Sequence, residues 1–202
     1  ANDADCFVLS EATDGAAAGA YSVFGVIVGT GTGGGVVIDG QLLRGANAIA
    51  GEWGHNPLPW PVDEERPGLD CYCGKKGCIE TFLSGPSMSI DHKSHTGDDM
   101  AAIEIVERAE QGDTKAEHTL QRYEDRMARA LASVINVIDP EVIVLGGGLS
   151  NIFRLYTSVP RLWGQYVFSD HVATQLVQAK HGDSSGVRGA AWLWSNEGIG
   201  KK

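Results

Sequence analysis

Apolar side chains recur at Leu120, Met127, Leu131, Val134 and Ile138, the spacing of one helical face, and predict a core helix over 115–138. Asp139-Pro140 stops it. Residues 23–28 and 142–145 are short, apolar and β-branched, and read as buried strands. Residues 36–38 form another strand, Asp39-Gly40 a two-residue hairpin turn, and residues 41–43 the return strand. An Ala-rich stretch over 5–18, with Phe7, Leu9 and Ala12, predicts a helix packed closely on a neighbour. Further helices are expected at 80–91, 101–111, from a Ser150-Asn151 N-cap to about 166, and at 185–194, with a strand near 174–179. Trp192 and Trp194 read as packing residues. Residues 44–79 carry no period; prolines mixed with acids make 57–70 a loop. The alternation of elements predicts one compact α/β lobe.

Composition narrows the classes. Of 202 residues, 43% are hydrophobic and 21% charged, as in ordinary globular chains. No run approaches the roughly 18 apolar residues that span a bilayer, and the first residues have no signal-peptide pattern, so a cytoplasmic protein is expected. There is no initiator Met, so a fragment or processed product is expected. A net charge of −10 disfavours nucleic-acid binding, but leaves open nucleotide binding by backbone N–H groups and a metal.

Residues 29–35 read Gly-Thr-Gly-Thr-Gly-Gly-Gly. Without Cβ atoms such a backbone can approach a phosphate closely. Gly35 is followed by Val36, not Lys-Ser/Thr, which excludes a Walker A loop, and a strand rather than a helix follows, which argues against a dinucleotide fold. A strand–loop–strand phosphate grip remains, beside a bland flexible turn.

The four cysteines are Cys6, Cys71, Cys73 and Cys78. Cys71-x-Cys73-x4-Cys78, with Gly74 and Gly77 between, lets thiolates converge on one ion and favours a closed structural zinc site. The fourth ligand lies outside the run. His55 is the best candidate; Cys6, or no metal at all, are the alternatives. Zinc would pin both ends of the irregular loop and so place Glu52, His55 and Glu80.

Several segments occur in a telling order: Asn2-Asp3-Ala4, the glycine loop, Gly51-Glu52-Trp53-Gly54-His55, Cys71-Tyr72-Cys73-Gly74-Lys75-Lys76-Gly77-Cys78-Ile79-Glu80, and Leu145-Gly146-Gly147-Gly148. Together they resemble the ROK family of sugar kinases and repressors, over nearly the whole chain. Residues 52–59 and 181–186 look most like its bacterial fructokinase branch. The resemblance implies an actin/hexokinase-like (ribonuclease H-like) ATPase lobe with a zinc-binding loop. It implies that Asp3 is the catalytic base, that Asn2, Glu52, His55 and Glu80 bind sugar hydroxyls, and that Gly31, Thr32 and Gly33 contact phosphate. Gly146, Gly147 and Gly148 would contact the nucleotide. His55, Cys71, Cys73 and Cys78 would hold Zn²⁺, His55 giving its other ring nitrogen to the sugar, and Mg²⁺ would come with ATP. The implied reaction is phosphorylation of a hexose, fructose first, in a homodimer.

One departure stands out. The family's Asp-x-Gly-Gly-Thr phosphate loop belongs to a preceding lobe and does not occur here. The expectation is therefore a larger, C-terminal lobe over 1–202, inactive alone. Glucose, mannose or N-acetylglucosamine as substrate, the sugar-sensing module of a ROK repressor, or a zinc-stabilised binding domain without catalysis are the competing readings.

Overall fold

The computed structural model describes residues 2–182 and 188–189. The expected helix at 185–194, Trp192, Trp194 and most of the 181–186 motif lie outside the described residues. Helix α1 (Asp3–Thr13) precedes β1 (Ser22–Val28), β2 (Thr32–Ile38) and β3 (Gln41–Leu42). Helices α2 (Glu80–Leu83), α3 (Gly85–Thr96), α4 (Ala102–Glu110) and α5 (Thr114–Ile138) follow. Then come β4 (Val142–Gly146), α6 (Leu155–Trp163) and β5 (Gln175–Gln178).

The strands make one sheet in the order β3-β2-β1-β4-β5. The β1–β2–β3 part is antiparallel, and β4 and β5 run parallel to β1. Alternation along each strand supplies two cores. Val23, Val37, Val142 and Val144 face α1 through Phe7, Val8 and Leu9. Phe24, Val26, Val36, Ile143 and Leu145 face the layer of α5 and its neighbours, through Leu120, Met127 and Leu131. At the hairpin both Asp39 and Gly40 have positive φ, 50° and 68°, as a tight primed turn requires.

Four expectations need correction. Helix α1 starts at Asp3 and ends at Thr13, because Asn2 caps it and a Gly-containing turn follows. Most of the glycine run is strand: β2 already begins at Thr32, leaving a short turn at 29–31. The helix expected at 80–91 is broken at Ser84, which is extended (ψ 159°) and caps α3 by accepting the Ser87 N–H, with Pro86 just inside the new helix. The helix expected from Ser150-Asn151 begins only at Leu155, because residues Gly148–Asn151 wind into a 3₁₀ turn.

The strand glycines serve packing. A Cβ on Gly35 would lie 2.8 Å from Val8 Cγ1 and 3.0 Å from the Ala4 carbonyl oxygen, so α1 can settle on the sheet only over bare backbone.

Candidate functional site

Four separate pieces of chain meet at a cleft of about 350 Å³, where the N-terminus of α1 approaches the β1–β2 turn. Asp3 comes from α1 and Asn2 from its cap, residues 29–33 from the β1–β2 turn and the start of β2, Glu52, His55 and Tyr72 from the irregular segment, and Glu80 from the first turn of α2.

Local structure explains each position. Asn2 Oδ1 accepts the Asp5 N–H at 2.8 Å and Asp5 Oδ2 accepts the Asn2 N–H at 3.0 Å, a reciprocal cap. The cap is therefore Asn2, and Asp3 is left exposed on the cleft. Asn2 Nδ2 donates to Glu52 Oε1 at 2.9 Å, which joins α1 to the segment. Glu80 Oε2 accepts the Thr32 N–H at 2.9 Å. That approach requires Gly31, where a Cβ would stand 2.7 Å from the same oxygen. Glu52 and Glu80 thus each spend one oxygen on the scaffold. The Trp53 indole donates to the Gly33 carbonyl at 3.1 Å and meets the Phe24 ring edge-on, fixing the Glu52–His55 turn above β2.

His55, Cys71, Cys73 and Cys78 bring one ligand atom each into a group within 4.8 Å of one another. His55 Nδ1 is 3.5 Å from Cys71 Sγ, and the Cys73 and Cys78 sulfurs are 3.6 Å apart. Ligand atoms on a tetrahedral zinc lie roughly 3.6–3.8 Å apart. Burial, then hydrogen bonds within the cluster, push the Cys78 thiol up to about 12, while a backbone hydrogen bond at Lys75 holds Cys73 below its ordinary value. Three sulfurs this close cannot all ionise without a cation between them. The donor set fits zinc, and Cys6 lies outside the cluster.

A second, apolar pocket of about 460 Å³ opens beside the same turn, between Gly29-Thr30, Pro86, Ile103, Val106 and Gly148-Leu149. Of the three glycines expected at a nucleotide, Gly148 lines this pocket. Gly146 backs onto the Phe7 ring and Gly147 onto the Val28 carbonyl.

Three features escaped the sequence reading. Pro86, Ile103 and Val106 belong to α3 and α4 and carried no motif. Tyr72, read as a spacer between cysteines, puts its hydroxyl 2.8 Å from His55 Nε2. Buried Glu65, inside the supposedly irregular loop, accepts from Arg126 Nε at 2.7 Å and from Arg129 at 2.8 Å. Burial alone would raise its carboxyl, but the hydrogen bonds from Arg129 and Arg126 prevail and hold it at about 2. These pairs border a larger cavity of about 710 Å³, in which Arg122, Arg126 and Arg129 are matched by Asp91, Glu65 and Asp125. These three arginines spend their charge on those carboxylates, which leaves the smaller cleft the better site for chemistry.

The sequence profile of the ROK family matches residues 1–197. The chain belongs to the ROK family. It is 42% identical over 196 residues to an N-acetyl-D-glucosamine kinase of Photobacterium profundum, covering 95% of this chain and 65% of the relative. The solved ROK hexokinase of Thermus thermophilus superposes with a TM-score of 0.85 at 32% identity, over 98% of this chain and 66% of that one. A ROK glucokinase from Streptomyces griseus, solved with glucose and AMPPNP, gives a TM-score of 0.81 at 28% identity, over 95% of this chain and 66% of that one. The hexokinase-like α/β fold expected of a ROK chain is therefore the fold observed. The chain spans about two-thirds of the length of these relatives, and none of the three is named a fructokinase.

Proposed function

We propose that this chain is the larger lobe of a two-lobed ROK kinase that transfers the γ-phosphoryl group of ATP to a hexose hydroxyl, with N-acetyl-D-glucosamine the favoured hexose. The observation that carries the reading is the convergence of Asp3, Asn2, Glu52, His55 and Glu80 on one cleft floored by the glycine turn. Asp3 accepts the proton of the attacking hydroxyl. Glu52 and Glu80 offer the sugar the oxygens that the scaffold does not use. Asn2 has its carbonyl committed to capping, so only its amide group is available to the sugar. His55 gives Nδ1 to the zinc cluster and Nε2 to the sugar. Zinc, held by His55, Cys71, Cys73 and Cys78, supplies rigidity and takes no part in the chemistry.

The apolar pocket along Ile103, Val106 and Leu149 suits a nucleotide base, and the bare backbone at 29–31 suits phosphates running from it toward Asp3. Phosphoryl transfer depends mainly on such positioning and on charge neutralisation, to which Mg²⁺ carried by ATP contributes. The remaining part of the ATP grip would come from a preceding lobe, and ATP as donor supports a cytoplasmic enzyme. A homodimer belongs to the same reading and is checked by sedimentation.

The choice of hexose rests on the 42% identity to an N-acetyl-D-glucosamine kinase; the wording at 52–59 favours fructose instead. A coupled ATP assay of the intact two-lobed protein on a hexose panel decides. N-acetyl-D-glucosamine should give the highest kcat/KM. A preference for fructose restores the fructokinase assignment, and no turnover on any hexose sinks the kinase reading.

A further inference from the structure

His55, which lines the cleft, has a single proton to offer. His55 points Nδ1 at Cys71 Sγ, 3.5 Å away, and Nε2 at the Tyr72 hydroxyl, 2.8 Å away. A ring nitrogen turned to a metal cluster carries no proton, so the one N–H of a neutral imidazole sits on Nε2 and donates to Tyr72. Glu52 and Glu80 can each take a sugar hydroxyl without giving up a scaffold bond, because a carboxylate has a second oxygen. His55 has no second donor. A hexose hydroxyl reaching Nε2 must therefore displace the Tyr72 hydroxyl.

Tyr72 is placed to be displaced. It is 83% exposed, stands edge-on to the imidazole at 88° with ring centroids 5.0 Å apart, and lines the cleft. An exposed side chain in this position changes rotamer on the ps–ns scale, far faster than a sugar binds and leaves. Its chain neighbours Cys71 and Cys73 belong to the metal cluster, so the backbone beneath it is fixed while the ring is free to swing.

We infer that Tyr72 is a specificity-determining gate: its hydroxyl competes with a hexose hydroxyl for the single Nε2 proton of His55. The inference rests on the hexose reading of the cleft. It makes entry conditional, since a sugar without an acceptor oxygen at that point cannot repay the bond it breaks and is held more weakly than its other contacts would give.

The test is N-acetyl-D-glucosamine binding to the zinc-loaded, intact two-lobed protein by calorimetry, for the wild type, Tyr72→Phe and Tyr72→Ala, with zinc content measured alongside. Removing the competing hydroxyl in Tyr72→Phe should tighten binding by roughly twofold to tenfold. Tyr72→Ala should tighten it at least as much, with one zinc per chain throughout. A ¹⁵N spectrum supplies a second readout, because a tyrosine that keeps its His55 bond when sugar is bound leaves the sugar-bound spectra of wild type and variant different. The His55 Nε2–H resonance should shift on Tyr72→Phe in sugar-free protein, and the sugar-bound spectra of wild type and variant should coincide. Unchanged or weaker binding in Tyr72→Phe, with wild-type binding intact, overturns the gate alone. A zinc-loaded wild type that binds no hexose overturns the gate together with the hexose reading.

Discussion

The two walls of the cleft are built by opposite means. On the glycine-turn side the backbone is held by apolar packing of two sheet faces, and closeness comes from side chains that are missing, as where Gly35 lies under Val8 and Ala4. On the other side, the segment over 51–80 has two 3₁₀ turns and two isolated bridges for regular structure before α2 begins. It is fixed by polar anchors: the His55–Cys71–Cys73–Cys78 group beneath the cleft and buried Glu65 against Arg126 and Arg129 on α5. Apolar packing degrades gradually, one methylene at a time, whereas a polar anchor that loses one partner leaves a charge or a thiolate stranded. The wall built by residues 51–80 should therefore fail abruptly while the sheet survives.

Metal removal breaks the comparison most sharply. Structural zinc in small domains contributes roughly 10–16 kcal/mol of apparent binding energy. Chelation, or Cys78→Ser, should reduce hexose affinity by at least about 100-fold while amides of β1, β4 and α5 keep their hydrogen-exchange protection. Loss of protection across the sheet would show that the two walls are one cooperative unit. Next in size is Glu65→Ala, which takes one of two carboxylate partners from each of two buried guanidinium groups, Arg126 keeping Asp91 and Arg129 keeping Asp125, and should cost about 3 kcal/mol in denaturant unfolding. Adding Arg129→Met should recover part of that loss.

The same anchor sets an acid limit. The Glu65 carboxyl is held at about 2, below its ordinary 4.5. A depressed folded-state value stabilises above pH 4.5 and is lost as pH falls toward 2. The thermal midpoint should drop through that window, and Glu65→Gln should flatten the drop. Smallest is Gly35→Ala. Its new methyl must push aside Val8 and the Ala4 carbonyl of α1, at about 1–3 kcal/mol, and sugar affinity in the zinc-bound chain should fall by less than about tenfold. A large loss of sugar affinity in that variant would contradict the separation of the walls.

This division also decided what could be read in advance. Helix α5, the core strands and the Asp39-Gly40 turn were legible because the helix repeats its apolar face every 3.6 residues, the strands are continuous apolar runs, and a primed turn needs two positive φ values. The glycine run was seen, but its division into a short turn and a strand depends on Val8 and Ala4 of another element. The break at Ser84 had a local signal in Ser84-Gly85-Pro86, which the helical reading passed over. Glu65 gave none: its arginine partners lie 61 and 64 residues away, and an acid among prolines looks solvated. Cleft residues were legible only as family motifs, because their meeting point is made by Asn2–Glu52 and Thr32–Glu80 hydrogen bonds spanning 50 and 48 residues.

Asp3 is proposed to act as a base on a sugar that other residues hold. The measurement that meets this role directly pairs hexose binding with turnover in Asp3→Asn, made in the intact two-lobed protein. Sugar affinity should stay within about twofold of wild type, while kcat falls by roughly 10²–10⁴-fold, the range expected when a general base is lost. Near-normal turnover in Asp3→Asn, or loss of sugar binding in step with turnover, would contradict it.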